Sequence, residues 1–136
     1  MNKLFRLDGK TVVLTGAAGR LGSRFAHILC ESGANVILVD KDAKKNLKLK
    51  LELSKKYNVI IKVFDIDIIA ESSVEQMVKK IIKKFKKIDI LINNAHFIPR
   101  DHPKRDFPFE KYPLDLWNET INTNLQGLFL CSREIG

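Results

Sequence analysis

Cysteine, proline, tryptophan and tyrosine are scarce in this 136-residue sequence, which has two Cys, four Pro, one Trp and two Tyr. Two cysteines, Cys30 and Cys131, far apart and without a CxxC spacing, exclude a disulfide-stapled scaffold; they are expected as buried thiols in a reducing compartment. No apolar run approaches the roughly 20 residues that span a bilayer. The start, MNKLFRLDGK, has no apolar stretch of the signal-peptide kind, so a cytoplasmic protein with no membrane partner is expected. His96, His102, Asp101 and Asp106 follow no recognised ligand spacing, and no metal site is expected.

What is present describes a globular domain. Hydrophobic residues make up 45% of the chain and charged residues 29%, enough of both for a packed core under a solvated surface. The net charge is +8. A nucleic-acid partner is one reading of such a charge. The lysines concentrate in 41–56 and 79–87, inside two amphipathic segments, so a solvated helical face is the preferred reading.

Short β-branched runs alternate with longer helical patterns, the signature of a parallel α/β sheet. Strands are expected at 11–15 (TVVLT), 35–40 (NVILVD), 59–65 (VIIKVFD) and 88–92. They are apolar throughout rather than alternating, as strands covered on both faces are. A helix follows the first strand, with Leu21, Phe25, Ile28 and Leu29 expected on its inner face and Gly33 ending it. The leucines at 47, 49, 51 and 53 alternate as in a strand. However, the residues are good helix formers and a crossover is needed there, so a helix is expected. Val74, Met77, Val78, Ile81, Ile82 and Phe85 form the clearest helical stripe, with Ser73 and Gln76 as a capping box. A loop follows over 97–113, carrying all four prolines. A final helix is expected from Leu114, with Trp117, Ile121, Leu125 and Leu128 facing inward.

Three motifs carry chemistry. Thr15-Gly16-Ala17-Ala18-Gly19-Arg20-Leu21-Gly22 lies directly between a strand and a helix. Glycines there let the backbone approach a pyrophosphate, and the first N–H groups of the helix favour its charge. Asp40 ends the second strand, 18 residues after Gly22. A carboxylate there accepts hydrogen bonds from ribose hydroxyls and repels a 2′-phosphate, which argues for NAD, with NADP the alternative because Arg20 and Lys41 stand close by in sequence. Asn93-Asn94-Ala95 follows the fourth strand.

Together these residues resemble the short-chain dehydrogenase/reductase family, with its TGxxxGxG turn, NNAG after the fourth strand and a later NLxG. This chain supplies TGAAGRLG, NNAH and Asn124-Leu125-Gln126-Gly127 in that order. The resemblance implies a Rossmann-type doubly wound parallel sheet, present in part with strand order 3-2-1-4. Residues 1–136 would be the N-terminal part of one NAD(P)-binding domain. It implies that Gly16, Gly19 and Gly22, with Arg20 and Leu21, line the pyrophosphate. Asp40 would hold the adenosine ribose, Asp65 and Ile66 would border the adenine, and Asn93, Asn94 and Ala95 would sit beside the cofactor. Asn124 matches the asparagine of the family's catalytic tetrad; a plain helix asparagine bonded to nearby backbone is the other reading.

The departures from the family pattern carry information too. Arg20 stands where the TGxxxGxG spacing has glycine, although TGxxGxxG fits throughout. His96 replaces the glycine of NNAG and is expected as a loop residue rather than a proton carrier. The family's proton donor is the tyrosine of a Tyr-xxx-Lys pair, assisted by a serine. Here Tyr57 and Tyr112 are followed four residues on by Ile61 and Leu116, and Ser132 lies only eight residues beyond Asn124. A truncated product of a longer enzyme is therefore expected, inactive as it stands and oligomeric when full length. The implied activity is NAD(P)-dependent hydride transfer to or from an alcohol or carbonyl substrate. A non-catalytic nucleotide-binding half-domain and a basic nucleic-acid-binding protein are the alternatives.

Overall fold

The computed structural model describes residues 5–136. Four strands, β1 (Thr11–Thr15), β2 (Asn35–Asp40), β3 (Ile61–Asp65) and β4 (Ile90–Ile92), form one sheet. All pairings are parallel and the order is β3-β2-β1-β4, as the βα alternation predicts. The helices are α1 (Arg20–Glu31), α2 (Ala43–Lys56), α3 (Glu71–Phe85), α4 (Leu114–Ile121) and α5 (Leu128–Ile135). A parallel sheet needs a crossover between neighbouring strands, so the segment with alternating leucines is helical, within α2. Asp42 caps it, its side chain accepting from the Lys45 N–H at 3.0 Å.

The sheet separates two apolar clusters. One gathers Val12, Leu14, Val36 and Leu38 with Ala26, Leu29 and Cys30 of α1 and Leu49 and Leu53 of α2. The other gathers Val13, Ile37 and Val39 with Val74, Met77 and Ile81 of α3 and Leu130 and Cys131 of α5. Period-two alternation sends neighbouring residues of β1 and β2 to opposite clusters, which is why these strands read as continuous apolar runs. Cys30 and Cys131 are free and buried in different clusters, and burial pushes each thiol up to about 11.

The helix faces differ from the expectation. On α1 the buried residues are Gly22, Ala26, Leu29 and Cys30, while Leu21 and Ile28 are more than half exposed and Phe25 is exposed as well. The larger residues lie one position off the true face, because close approach to the sheet selects small side chains there. On the last helical segment the buried residues are Leu116, Gly127, Leu130 and Cys131, while Trp117, Leu125 and Leu128 face outward. That segment is not one α-helix: Asn122–Gly127 between α4 and α5 is π-helical, which shifts the phase of everything after it. The stripe on α3 holds at Val74, Met77 and Ile81, but Ile82 is exposed.

The capping box is absent. The helix starts earlier, with Ala70 as N-cap and no side-chain cap. The turn before it is closed by Asp67, whose carbonyl accepts from the Ala70 N–H and whose Oδ1 accepts from the Ile69 N–H.

Two strands are shorter than expected, and ahead of each a side chain shares the pairing with the backbone. Asn35 Oδ1 accepts from the Ile60 N–H at 3.2 Å, ahead of β3. Asp89 Oδ2 accepts from the Thr11 N–H at 2.9 Å, ahead of β4. Bonds from Lys87, from that N–H and from Lys10 hold the Asp89 carboxyl at about 2, below the ordinary 3.8. A carboxyl depressed in the folded state contributes stability above its unfolded value and loses it as the pH falls through the folded one. The urea midpoint of the protein should therefore fall between pH 3.8 and about 2. An Asp89→Asn variant should show a shallower fall in that window, and parallel profiles would contradict this role.

Candidate functional site

The site is built where β1 and β4 end side by side. Thr15 Oγ1 donates to the Ile92 carbonyl and accepts from the Asn94 and Ala95 N–H groups at 3.1 and 3.0 Å. Asn94 Nδ2 returns the link, donating to the carbonyls of Thr15 at 3.0 Å and Gly16 at 3.1 Å. Five hydrogen bonds thus weld the glycine turn to this stretch, one to the end of β4 and four to the NNA segment.

Glycine is needed at two of the turn positions. Gly16 has φ +63°, and a Cβ there would sit 2.7 Å from the Ala95 Cα. At Gly22 a Cβ would be driven into the Gly16 carbonyl oxygen and to 2.9 Å from the Ala17 Cα and oxygen. The turn folds back onto the first turn of α1. Gly19 is the N-cap of α1, no side chain caps it, and no acidic residue lies in the first turn. The first N–H groups of the helix are therefore left for an external acceptor, and the macrodipole favours an anion.

Asp40 joins this turn to the end of β2. Its Oδ2 accepts from the Ala18 N–H at 2.9 Å and its Oδ1 from the Asp42 N–H at 3.0 Å. A carboxylate has about four lone-pair sites, so acceptor capacity remains on both oxygens after these two bonds.

These elements surround a cavity of about 390 Å³, the size of a small-ligand site. Of the residues expected at the cofactor, Gly16, Gly19, Arg20, Leu21, Gly22, Asp40, Ile66, Asn94 and Ala95 line it. Asp65 and Asn93 do not. Asp65 is exposed, its Oδ1 accepting from Asn46 Nδ2 at 2.9 Å, and Asn93 Nδ2 donates to Ser132 Oγ at 3.0 Å, tying β4 to α5. Asn124 lies in the π-helical run and closes on backbone. Its Oδ1 accepts from the Phe97 N–H at 2.6 Å and its Nδ2 donates to the Phe97 carbonyl at 3.0 Å, so it pins the chain leaving β4.

Other lining residues were not singled out by motif: Val39, Asp67, Ile68, Phe97, Ile98 and Thr123. Their signal is position alone, since ligands of open α/β sheets bind beyond the carboxyl ends of the strands. His96 also lines the cavity, its Nδ1 3.4 Å from the Asn94 carbonyl. Arg20, Lys41 and Arg100 bring positive charge to the wall, and none has an ion-pair partner among the described residues. No group of three His, Cys, Asp or Glu able to hold a metal ion occurs among the described residues.

An anion-accepting helix start, a carboxylate one strand over and a wall of Ile66 and Ile68 suit a diphosphate, a ribose and a flat base in turn. With the strand order β3-β2-β1-β4, this is the nucleotide-binding arrangement of a Rossmann-type fold. The chain belongs to the short chain dehydrogenase family, whose pattern matches residues 10–135.

Over its whole length the chain is 34% identical to an NADP-dependent mannitol dehydrogenase of Alternaria alternata, of which it covers 50%. It is 32% identical to an NAD-dependent glycerol dehydrogenase of Listeria innocua, matching 99% of this chain and 49% of that protein. A citronellol catabolism dehydrogenase of Pseudomonas aeruginosa superposes with a TM-score of 0.84 at 29% identity, over 96% of this chain and 51% of the other. The chain thus spans about half the length of each of these relatives.

Proposed function

We propose that residues 1–136 are the N-terminal, cofactor-binding part of a single Rossmann domain in an NAD(P)-dependent oxidoreductase. The whole enzyme would transfer hydride between the nicotinamide and an alcohol or carbonyl substrate. The observation that carries this reading is the glycine turn, welded to Asn94 and Ala95 on one side and to Asp40 on the other, around an open α1 N-terminus.

In this reading Gly16, Gly19 and Gly22, with Arg20 and Leu21, receive the pyrophosphate. Asp40 takes the adenosine ribose, and Asp65 and Ile66 border the adenine. Asn93, Asn94 and Ala95 support the strand end beside the cofactor. Asn124 takes part in the reaction by holding the Phe97 backbone at the cavity. The cofactor supplies the hydride chemistry; the chain supplies binding and orientation. NAD is preferred because Asp40 opposes a 2′-phosphate. The relatives include one named for each cofactor.

Neither tyrosine supplies the family's proton donor. Tyr57 ends α2, its hydroxyl 3.2 Å from His27 Nδ1, and Tyr112 lies in the 97–113 loop. The chain by itself is therefore proposed to bind cofactor without turning over. A cytoplasmic location is part of this reading, and two free buried thiols are consistent with it. Calorimetric titration with NADH, NADPH and a DNA oligomer at two salt concentrations tests the reading. NADH should bind more tightly than NADPH. Salt-dependent DNA binding without dinucleotide binding would favour the basic face as the functional surface instead.

A further inference from the structure

Asn46 is fully buried in the first turns of α2, beneath the carboxyl ends of β2 and β3. Its Nδ2 donates to the Leu38 carbonyl at 3.3 Å and the Phe64 carbonyl at 3.5 Å, and its shortest bond, 2.9 Å, is to Asp65 Oδ1. Its own Oδ1 is buried and accepts no hydrogen bond among the described residues. A buried amide oxygen without a donor is a standing penalty, which a leucine of similar volume would not carry. The amide therefore has to be accounted for by what its N–H groups do.

They act at the point where the sheet becomes the cavity wall. The register places Asp40 directly opposite Asp65. Like charges directly opposite repel, so each carboxylate needs its own donors to settle. Asp40 has the Ala18 and Asp42 N–H groups; Asp65 has Asn46. Asp65 Oδ2 has no hydrogen bond among the described residues and stays open to an external donor. The next three residues, Ile66, Asp67 and Ile68, form one wall of the cavity.

We infer that Asn46 is a positioning residue for base recognition. Its amide fixes the Asp65 carboxylate, which lies beside the cavity rather than in its lining, and the turn through Ile66, so that Oδ2 meets the exocyclic amine of an adenine whose ring packs on Ile66. The inference rests on the dinucleotide reading above. It extends that reading to a residue that touches no ligand and that no motif marks.

The test compares wild type with Asn46→Leu in the 136-residue chain, using 5′-AMP, ribose 5-phosphate and NADH as probes and thermal melting as the fold control. The Leu variant exchanges one orphaned oxygen for the loss of the Nδ2 bonds, so it should melt near the wild-type temperature. It should bind 5′-AMP and NADH about tenfold more weakly, the scale of one positioned hydrogen bond, with ribose 5-phosphate unchanged. A merely structural role would lower the melting temperature and weaken both phosphates alike, and that result overturns the inference. Unchanged 5′-AMP binding overturns it too. If the Leu variant does not fold, Asn46→Ala, which removes the same Nδ2 donor with a smaller side chain, takes its place. Loss of 5′-AMP with ribose 5-phosphate retained supports the inference, and no loss overturns it. If wild type binds neither NADH nor 5′-AMP, the dinucleotide reading itself falls, and this inference with it.

Discussion

Replacing Gly22 with valine should both destabilise the fold and remove cofactor binding. The atoms a Cβ would meet are the Gly16 carbonyl oxygen and the Ala17 Cα and oxygen, all of them backbone. Backbone in a welded turn does not give way as the tip of a flexible side chain does. Relief would require α1 to withdraw from the turn, and Ala26, Leu29 and Cys30 of that helix are packed in the core. Overpacking of this kind costs about 1–3 kcal/mol. In the proposed reading, the same withdrawal carries the helix N–H groups away from the cofactor's phosphates. NADH affinity should then fall by more than about tenfold, or about 1.4 kcal/mol. Gly19→Ala is the internal comparison, because its Cβ meets only the Gly16 oxygen at 3.2 Å. Melting curves and NADH fluorescence titrations on both variants would check this. Equal effects at the two positions would mean that the turn is looser than its contacts state.

The second large effect is expected at Asp40. Asp40→Ala removes the acceptor of two partly buried N–H groups, on Ala18 and Asp42, and leaves each without its partner. Leaving a donor unsatisfied costs about 1–3 kcal/mol, and solvent reaching the opened cavity would hold the loss toward the lower end. The effect on ligand preference has a definite sign. In the proposed reading the adenosine ribose loses its carboxylate, so NADH binding should weaken by about tenfold or more. NADPH loses the same contact but also its repulsion, and Arg20 and Lys41 line the same cavity without ion-pair partners. The ratio of the two dissociation constants should therefore shift toward NADPH, which titration of both reduced cofactors measures. A ratio that does not move would show that Asp40 braces the turn without facing the ribose.

The sheet order and the glycine turn were legible in the sequence because both depend on local pattern. Continuous apolar runs mark strands covered on both faces, and the spacing from Gly16 to Gly22 is a steric requirement written into neighbouring residues. Asn94 was legible as part of a motif, although its bonds to Thr15 and Gly16 cross almost 80 residues. The faces of α1 were misread because size was taken as the signal for burial. Close packing on a sheet selects Gly22 and Ala26 and turns Leu21 and Phe25 outward. Asn46 carried no signal, since an asparagine among lysines and leucines looks like surface until the strand ends are placed over it. For Asn124 a bond to backbone was one of the two readings, but its partner Phe97 was not legible, being a contact across the sheet edge between a helix and a loop.

The π-helical run between α4 and α5 has a consequence for how this part of the chain tolerates change. A π turn closes its ring one residue later than an α turn, so the run carries one residue more than a regular helix of the same length. One residue is about 100° of rotation about the axis. Leu116 before the run and Leu130 and Cys131 after it are all buried with that surplus in place. The surplus works as a phase adjuster: it brings Thr123 to the cavity wall and Asn124 to the Phe97 backbone while Leu130 and Cys131 stay in the core. Losing one residue from 122–127 would thus be absorbed where it occurs, the run closing as regular α-helix with Leu130 and Cys131 still in the core, and the cost would fall on the reach of Thr123 and Asn124 toward the cavity and Phe97.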